Sequence, residues 1–84
     1  MRRRRAVWRA THRGSKEMDY LLGRFTEQAI ESMNAEDIAV LERLIDVPDP
    51  QIELAVYEGY SLGERDLDAM VVYVRRFHGL PEAG

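Results

Sequence analysis

The sequence predicts an all-α fold, a compact five-helix bundle in a single domain. Three observations carry that prediction. Apolar residues recur at three- and four-residue steps along nearly the whole chain, the signature of one buried helix face. No run of five or more residues alternates apolar and polar as a half-buried strand would. Helix start and stop residues punctuate the pattern at short intervals, so the connections are short and successive helices are expected to pack as mostly antiparallel neighbours.

The first helix is expected from about Arg3 to Thr11. It is too short and too cationic to persist alone, so Val7, Trp8 and Ala10 or Thr11 must dock on the remainder. Gly14 interrupts it, Ser15 is placed to cap the next helix, and Glu17 sits in the first turn, where a carboxylate meets the positive end of the helix dipole. The second helix carries the stripe Met18, Leu21, Leu22, Phe25, Ala29 and Met33, with Arg24, Glu27, Gln28 and Glu31 facing water. Asn34 caps a third helix that has Glu36 and Asp37 in its first turn and Ile38, Leu41, Leu44 and Ile45 as its buried face. Val47-Pro48 ends it, because the residue before a proline is driven from the α region. Asp49-Pro50 restarts the chain with N-cap chemistry and a proline at the first helical position, and Ile52 and Val56, with Ala55 or Tyr57, line a fourth helix ending at Gly59. Ser61 and Glu64 have capping-box spacing ahead of a fifth helix lined by Leu67, Met70, Val71, Val74 and Phe77 and closed at Gly79. Leu80 to Gly84 reads as a frayed tail. The chain is thus expected to be one helical domain over residues 1–84: a basic segment 1–14, core helices over about 15–79 and a short tail 80–84.

Length and composition bound the function. At 84 residues one core must supply the stability, and with no cysteine neither a disulfide nor a thiolate-bound metal reinforces it. No apolar run approaches the roughly 20 residues that span a bilayer, so no direct membrane insertion is expected. The net charge of -3 conceals a partition: residues 1–16 hold six Arg and one Lys with no acid, giving +7, whereas residues 17–84 hold five Arg and fifteen acids, giving -10. The Arg-rich start lacks the apolar stretch and cleavage site of a secretory signal, and a transit peptide would leave almost no spacer before the second helix. Met1 is accordingly read as the native start of a bacterial cytoplasmic protein.

Little in the chain suggests autonomous catalysis. There is no Cys nucleophile, His78 sits beside Arg75 and Arg76 at a helix C-terminus where a cation is favoured, and Ser15, Ser32 and Ser61 lack a base at suggestive spacing. Asp66 and Asp68, two residues apart, fall on different helix faces and read as first-turn acids, not a metal pair. No phosphate-cradling glycine loop or pair of metal-binding histidines on one helix is present. No catalytic, metal-binding or cofactor-binding residue is therefore assigned, and no tightly bound cofactor is expected.

The segment that remains is His12-Arg13-Gly14-Ser15-Lys16-Glu17-Met18-Asp19. Gly14 is suited either to a positive φ or to a partner surface too close to admit a Cβ, and both can hold. Arg13 offers a planar five-donor fork for carboxylates, phosphates or clustered carbonyls, with Glu17 and Asp19 as acceptors within about a turn. The plain structural alternative is that Gly14 breaks the chain, Ser15 caps and the acids complement the dipole.

Arg13-Gly14-x-x-Glu17, followed by Met18-Asp19, Leu21-Leu22, Phe25, Leu41-x-x-Leu44 and Asp49-Pro50, resembles the small flavinylation factors of succinate dehydrogenase, in the form of their α-proteobacterial and mitochondrial branch. The likeness spans about residues 5 to 79. It implies an assembly factor, not an enzyme, that binds the flavoprotein subunit of succinate dehydrogenase, in some bacteria also that of fumarate reductase, and promotes covalent attachment of FAD to a histidine of that subunit. It places the partner contact at Arg13, Gly14 and Glu17 with Asp19, and with less weight at Trp8, His12, Ser15 and Lys16. The factor itself is expected to be monomeric. A rival reading from residues alone is nucleic-acid binding through the Arg-rich start, which the acidic remainder and the isoelectric point near 5.3 disfavour. A general helical adaptor for another acidic or flavin-containing partner is the third.

Overall fold

The computed structural model describes residues 1–81, and every described regular element is helical. Five helices follow one another: α1 (Arg2–Thr11), α2 (residues 16–32), α3 (Ala35–Ile45), α4 (Asp49–Glu58) and α5 (Arg65–Phe77). Contacts do not simply follow chain order. α1 lies against α2, α3 packs on both α1 and α5, and α4 packs on α5, so α3 finds its main neighbours two helices away in either direction.

α1 persists because it is docked, through Ala10 as the sequence suggested and through Ala6, which it did not, while Trp8 stays outside. Ala6 and Ala10, four residues apart on one face, are buried, whereas Val7 is half-buried and Trp8 is 60% exposed. Small side chains let α1 approach α2 closely at Gly23, where an added Cβ would stand 2.9 Å from Thr11 Cγ2 and 3.3 Å from the Ala10 carbonyl oxygen. Arginines fasten the rest: Arg2 pairs with Glu42 at 2.9 Å, Arg9 pairs with Asp46, and Arg3 donates to the Met33 carbonyl at 2.6 Å. Exposed pairs of this kind contribute at most about 1 kcal/mol each, so burial holds the helix and the charges fix its register. Part of the basic head is thereby neutralised by the acidic body.

α2 is continuous but not uniform. Ser15 caps it, Oγ accepting from the Met18 N–H at 3.2 Å, and an α turn (Lys16–Met18) passes into a π segment (Asp19–Gly23), an α segment (Arg24–Ala29) and a closing 3-10 turn (Ile30–Ser32). The wider π turn rotates later residues relative to earlier ones, which lets Leu21, Leu22, Phe25 and Ile30 all reach the core; the strict helical stripe had included Ala29, here half-buried, and had missed Ile30.

The α3 cap is as expected, with Asn34 Oδ1 accepting from the Asp37 N–H at 2.9 Å. Two other starts differ. Pro48 occupies the cap position of α4 without a side-chain cap, Asp49 is its first residue and Pro50 its second. Ser61 and Glu64 form no capping box. With Gly63 turning the chain at φ +85°, Asp68 instead reaches back, accepting from the Leu62 N–H at 2.7 Å and from the Ser61 hydroxyl at 2.5 Å.

The tail is more ordered than a frayed end at Leu80 and Pro81. Leu80 packs partly on the core and donates to the Arg75 carbonyl at 2.9 Å, while the buried Arg75 guanidinium donates to the carbonyls of Val56 and Pro81. Residues 82–84 of the expected tail lie outside the described residues. Phe77 is 42% exposed, meeting Phe25 edge-on at 5.9 Å without entering the core fully.

Candidate functional site

The turn joining α1 to α2 is built from the inside. Arg13 lies between helix ends, and its side chain is only 10% exposed. Nε and Nη2 donate to Asp49 Oδ1 at 3.0 and 2.6 Å, Nη2 also to the Val47 carbonyl at 2.9 Å, and Nη1 to the Ile45 carbonyl at 2.5 Å. The last carbonyls of a helix have no intrahelical donor and form the negative end of its dipole, so a guanidinium belongs there. Asp49, in the first turn of α4, is favoured at the opposite pole of the next helix. Arg13 thus ties the end of α3 to the start of α4. The sequence reading had given Asp49 a capping task; its carboxylate serves the Arg13 fork. Asp19 completes the frame, Oδ1 accepting from the Arg13 backbone N–H at 2.7 Å.

The rest of the turn faces outward. Gly14 has φ +98°, a conformation that side-chain-bearing L-residues rarely adopt, and nothing lies within 4 Å of where its Cβ would be. The positive-φ explanation therefore holds on geometry, and a close neighbour could come only from outside the described residues. Ser15, Lys16 and Glu17 are exposed, and among the described residues no hydrogen bond or ion pair engages the Glu17 carboxylate. Its charge reaches Tyr57, whose phenol is pushed above its ordinary pKa by burial first and then by Glu17 and Glu53. Beside the turn, Thr11, Lys16, Asp19, Tyr20, Arg24 and Glu27 line an open depression of about 370 Å³. On the α1 side Trp8 stacks on His12, ring centroids 4.4 Å apart and planes 11° apart.

Of the eight residues singled out from sequence, Arg13 and Asp19 are engaged within the fold, Ser15 caps α2 while remaining exposed, and Trp8, His12, Gly14, Lys16 and Glu17 share the exposed surface. Sequence reasoning missed Tyr20, 57% exposed and three residues beyond Glu17, and Asp49 as the Arg13 partner. Tyr20 was legible as an aromatic off the apolar stripe; nothing local marks Asp49, 36 residues from Arg13. His78, read from sequence as a residue of a helix C-terminus, sits there and also donates from Nε2 to the Leu21 carbonyl at 2.7 Å and meets Tyr20 at 5.0 Å, bracing the π segment. Among the described residues no group of three or more His, Cys, Asp or Glu could hold a metal ion, and no helix is long and apolar enough to cross a membrane.

Residues 4–78 match the profile of a family described as the flavinator of succinate dehydrogenase. Over 51 residues the chain is 43% identical to the FAD assembly factor SdhE of Acetobacter pasteurianus, an alignment covering 61% of this chain and 47% of that protein, so the chain spans about half the length of this curated relative. No solved structure matches the chain.

Proposed function

The chain belongs to the family of flavinators of succinate dehydrogenase, and we propose that it binds the flavoprotein subunit of that enzyme and promotes covalent attachment of FAD to it. The observation that carries this reading is the turn at residues 12–17, fastened from behind by Arg13 and presenting Gly14 with nothing within 4 Å of where its Cβ would be. Such a surface is rigid and bare, the combination a close backbone contact with another protein requires.

Flavin attachment needs the reactive carbon of the flavin and the target histidine within bonding reach. A factor that prefers the competent arrangement of the flavoprotein raises its population through differential affinity, and orientation alone lowers the barrier without an acid or base from the helper. In this reading the chemistry belongs to the flavoprotein and its FAD, and the present chain acts as a monomer in the bacterial cytoplasm without a tightly bound cofactor or active site of its own. Gly14 makes the close approach, and Glu17 fixes its register by a charge-assisted hydrogen bond. Arg13 and Asp19 shape the turn, and Ser15 and Lys16 flank it. The fumarate reductase flavoprotein is a second substrate of the same kind. The nucleic-acid alternative loses support because Arg2, Arg9 and Arg13 are paired with acids and Arg3 with carbonyls.

The test is flavin fluorescence of the denatured succinate dehydrogenase flavoprotein subunit produced with and without this chain. More covalent flavin in its presence is expected. Equal amounts, with the subunit not already saturated, would remove the proposal.

A further inference from the structure

The Trp8 and His12 pair contains chemistry that the turn geometry leaves unused. His12 Nδ1 lies 2.8 Å from the Trp8 carbonyl oxygen and 3.0 Å from Thr11 Oγ1. A carbonyl oxygen only accepts, so Nδ1 carries a proton. Thr11 agrees with this: its hydroxyl donates to the Val7 carbonyl at 2.8 Å, which leaves its lone pairs turned to Nδ1–H. A neutral imidazole protonated at Nδ1 has its lone pair at Nε2. His12 is exposed, and among the described residues nothing bonds that nitrogen. Stacking on Trp8 fixes the plane of the ring and the Nδ1 hydrogen bond fixes its rotation, so the direction of the lone pair is set in advance.

We infer that His12 Nε2 is a preset hydrogen-bond acceptor of the docking surface and receives a neutral amide N–H of the flavoprotein subunit as that protein closes on Gly14. The inference rests on the proposed docking of the flavoprotein. An amide donor is specified because it is the donor that partner backbone approaching Gly14 carries with it. Gly14, two residues on, has nothing within 4 Å of where its Cβ would be, so partner backbone has room to approach beside His12.

Two substitutions separate acceptor chemistry from shape. His12→Gln places an amide oxygen near the position of Nε2, whereas His12→Arg keeps a planar group able to stack on Trp8 but can only donate. Because His12 is exposed, both variants are expected to keep helix content and thermal midpoint. Affinity for the purified flavoprotein subunit is expected to stay within about fivefold of wild type for His12→Gln and to fall by about tenfold or more for His12→Arg, the scale of one hydrogen bond exchanged for an opposed donor pair. Equal or tighter binding by His12→Arg than by His12→Gln overturns the inference while leaving the docking intact. Failure of the wild-type chain to bind overturns both. Long-range ¹H–¹⁵N correlation on the unmodified protein reads the tautomer without any partner. A proton on Nδ1 is expected, and a dominant Nε2–H form overturns the inference.

Discussion

Two halves of one turn do opposite work. Arg13 and Asp19 point into the fold: the guanidinium closes the end of α3 onto Asp49, and the Asp19 carboxylate holds the Arg13 backbone. Gly14 and Glu17, between them in sequence, point away from it, one with empty space around its Cβ position and the other with its carboxylate in solvent. Charge does not predict which residue is left free to meet a partner. The strongest hydrogen-bonding group of the segment is consumed in building it, and the residue with no side chain is the one laid bare. Each half should respond differently to substitution, with stability reporting on the first and binding on the second.

The largest effect is expected at Arg13. Removing one partner of a fully buried pair costs about 3–5 kcal/mol; Asp49 retains 32% side-chain exposure, so water recovers part of the loss, and about 2–3 kcal/mol is expected for Arg13→Ala in urea denaturation. Arg13→Lys should regain only part of this, because an ammonium cannot serve Asp49 and two carbonyls in one plane. A change within about 0.5 kcal/mol for Arg13→Ala, the range of ordinary surface sites, would erase the distinction between the halves.

Gly14 comes next and can be dissected further. Gly14→Ala should lose about 1–2 kcal/mol from the positive φ alone, which confounds any loss of binding. Chemical synthesis with D-alanine removes the confusion, since a D-residue accepts φ +98° and the space around its methyl is open. Unchanged stability with at least about tenfold weaker binding to the flavoprotein subunit is expected, as a methyl would hold the partner backbone off. Unchanged binding would reduce Gly14 to a conformational hinge and move the contact elsewhere.

How much of this was legible beforehand follows from the range of the interactions. Local patterns were read well: the Asn34 cap, the buried face of α3, that of α5 except Phe77, and the turn at Gly14 depend on residues within a helical turn or so of one another. The partners of the basic head were not, because Glu42, Asp46 and Asp49 lie 40, 37 and 36 residues from Arg2, Arg9 and Arg13, and no periodicity links them. The π segment was hidden for another reason: one extra residue in a turn leaves the composition of the stripe intact and shifts only its register, which shows as Ile30 replacing Ala29 in the core. Asp49 followed by proline looked like a cap because that local chemistry is common, and a distant arginine took the carboxylate instead.

Glu17 tests the outward half with no expected structural response. Glu17→Gln keeps size and polarity, so stability should move by no more than about 0.5 kcal/mol, while loss of a charge-assisted hydrogen bond should weaken flavoprotein binding by about tenfold or more. A stability loss well beyond that range would mean that Glu17 belongs with Arg13.

The smallest effect extends the inward half to the far end of α1. Arg2 holds the Glu42 carboxyl below its usual pKa, chiefly through their hydrogen bond. A carboxylate with a lowered folded pKa stabilises the fold above its unfolded pKa, about 4.3, and that contribution disappears as pH falls through the lower folded value. Amide protection in the first hydrogen-bonded turn of α1, beginning at the Arg5 N–H that donates to the Met1 carbonyl, should therefore decrease below about pH 4, and about 1 M salt at neutral pH should produce part of the same loosening by screening the exposed pair. The Ala6 and Ala10 contacts with α2 do not titrate, so protection at the C-terminal end of α1 should persist where protection near Arg2 declines. Uniform loss along α1 would mean that the pair holds the whole helix, and burial would no longer explain why so cationic a segment stays folded.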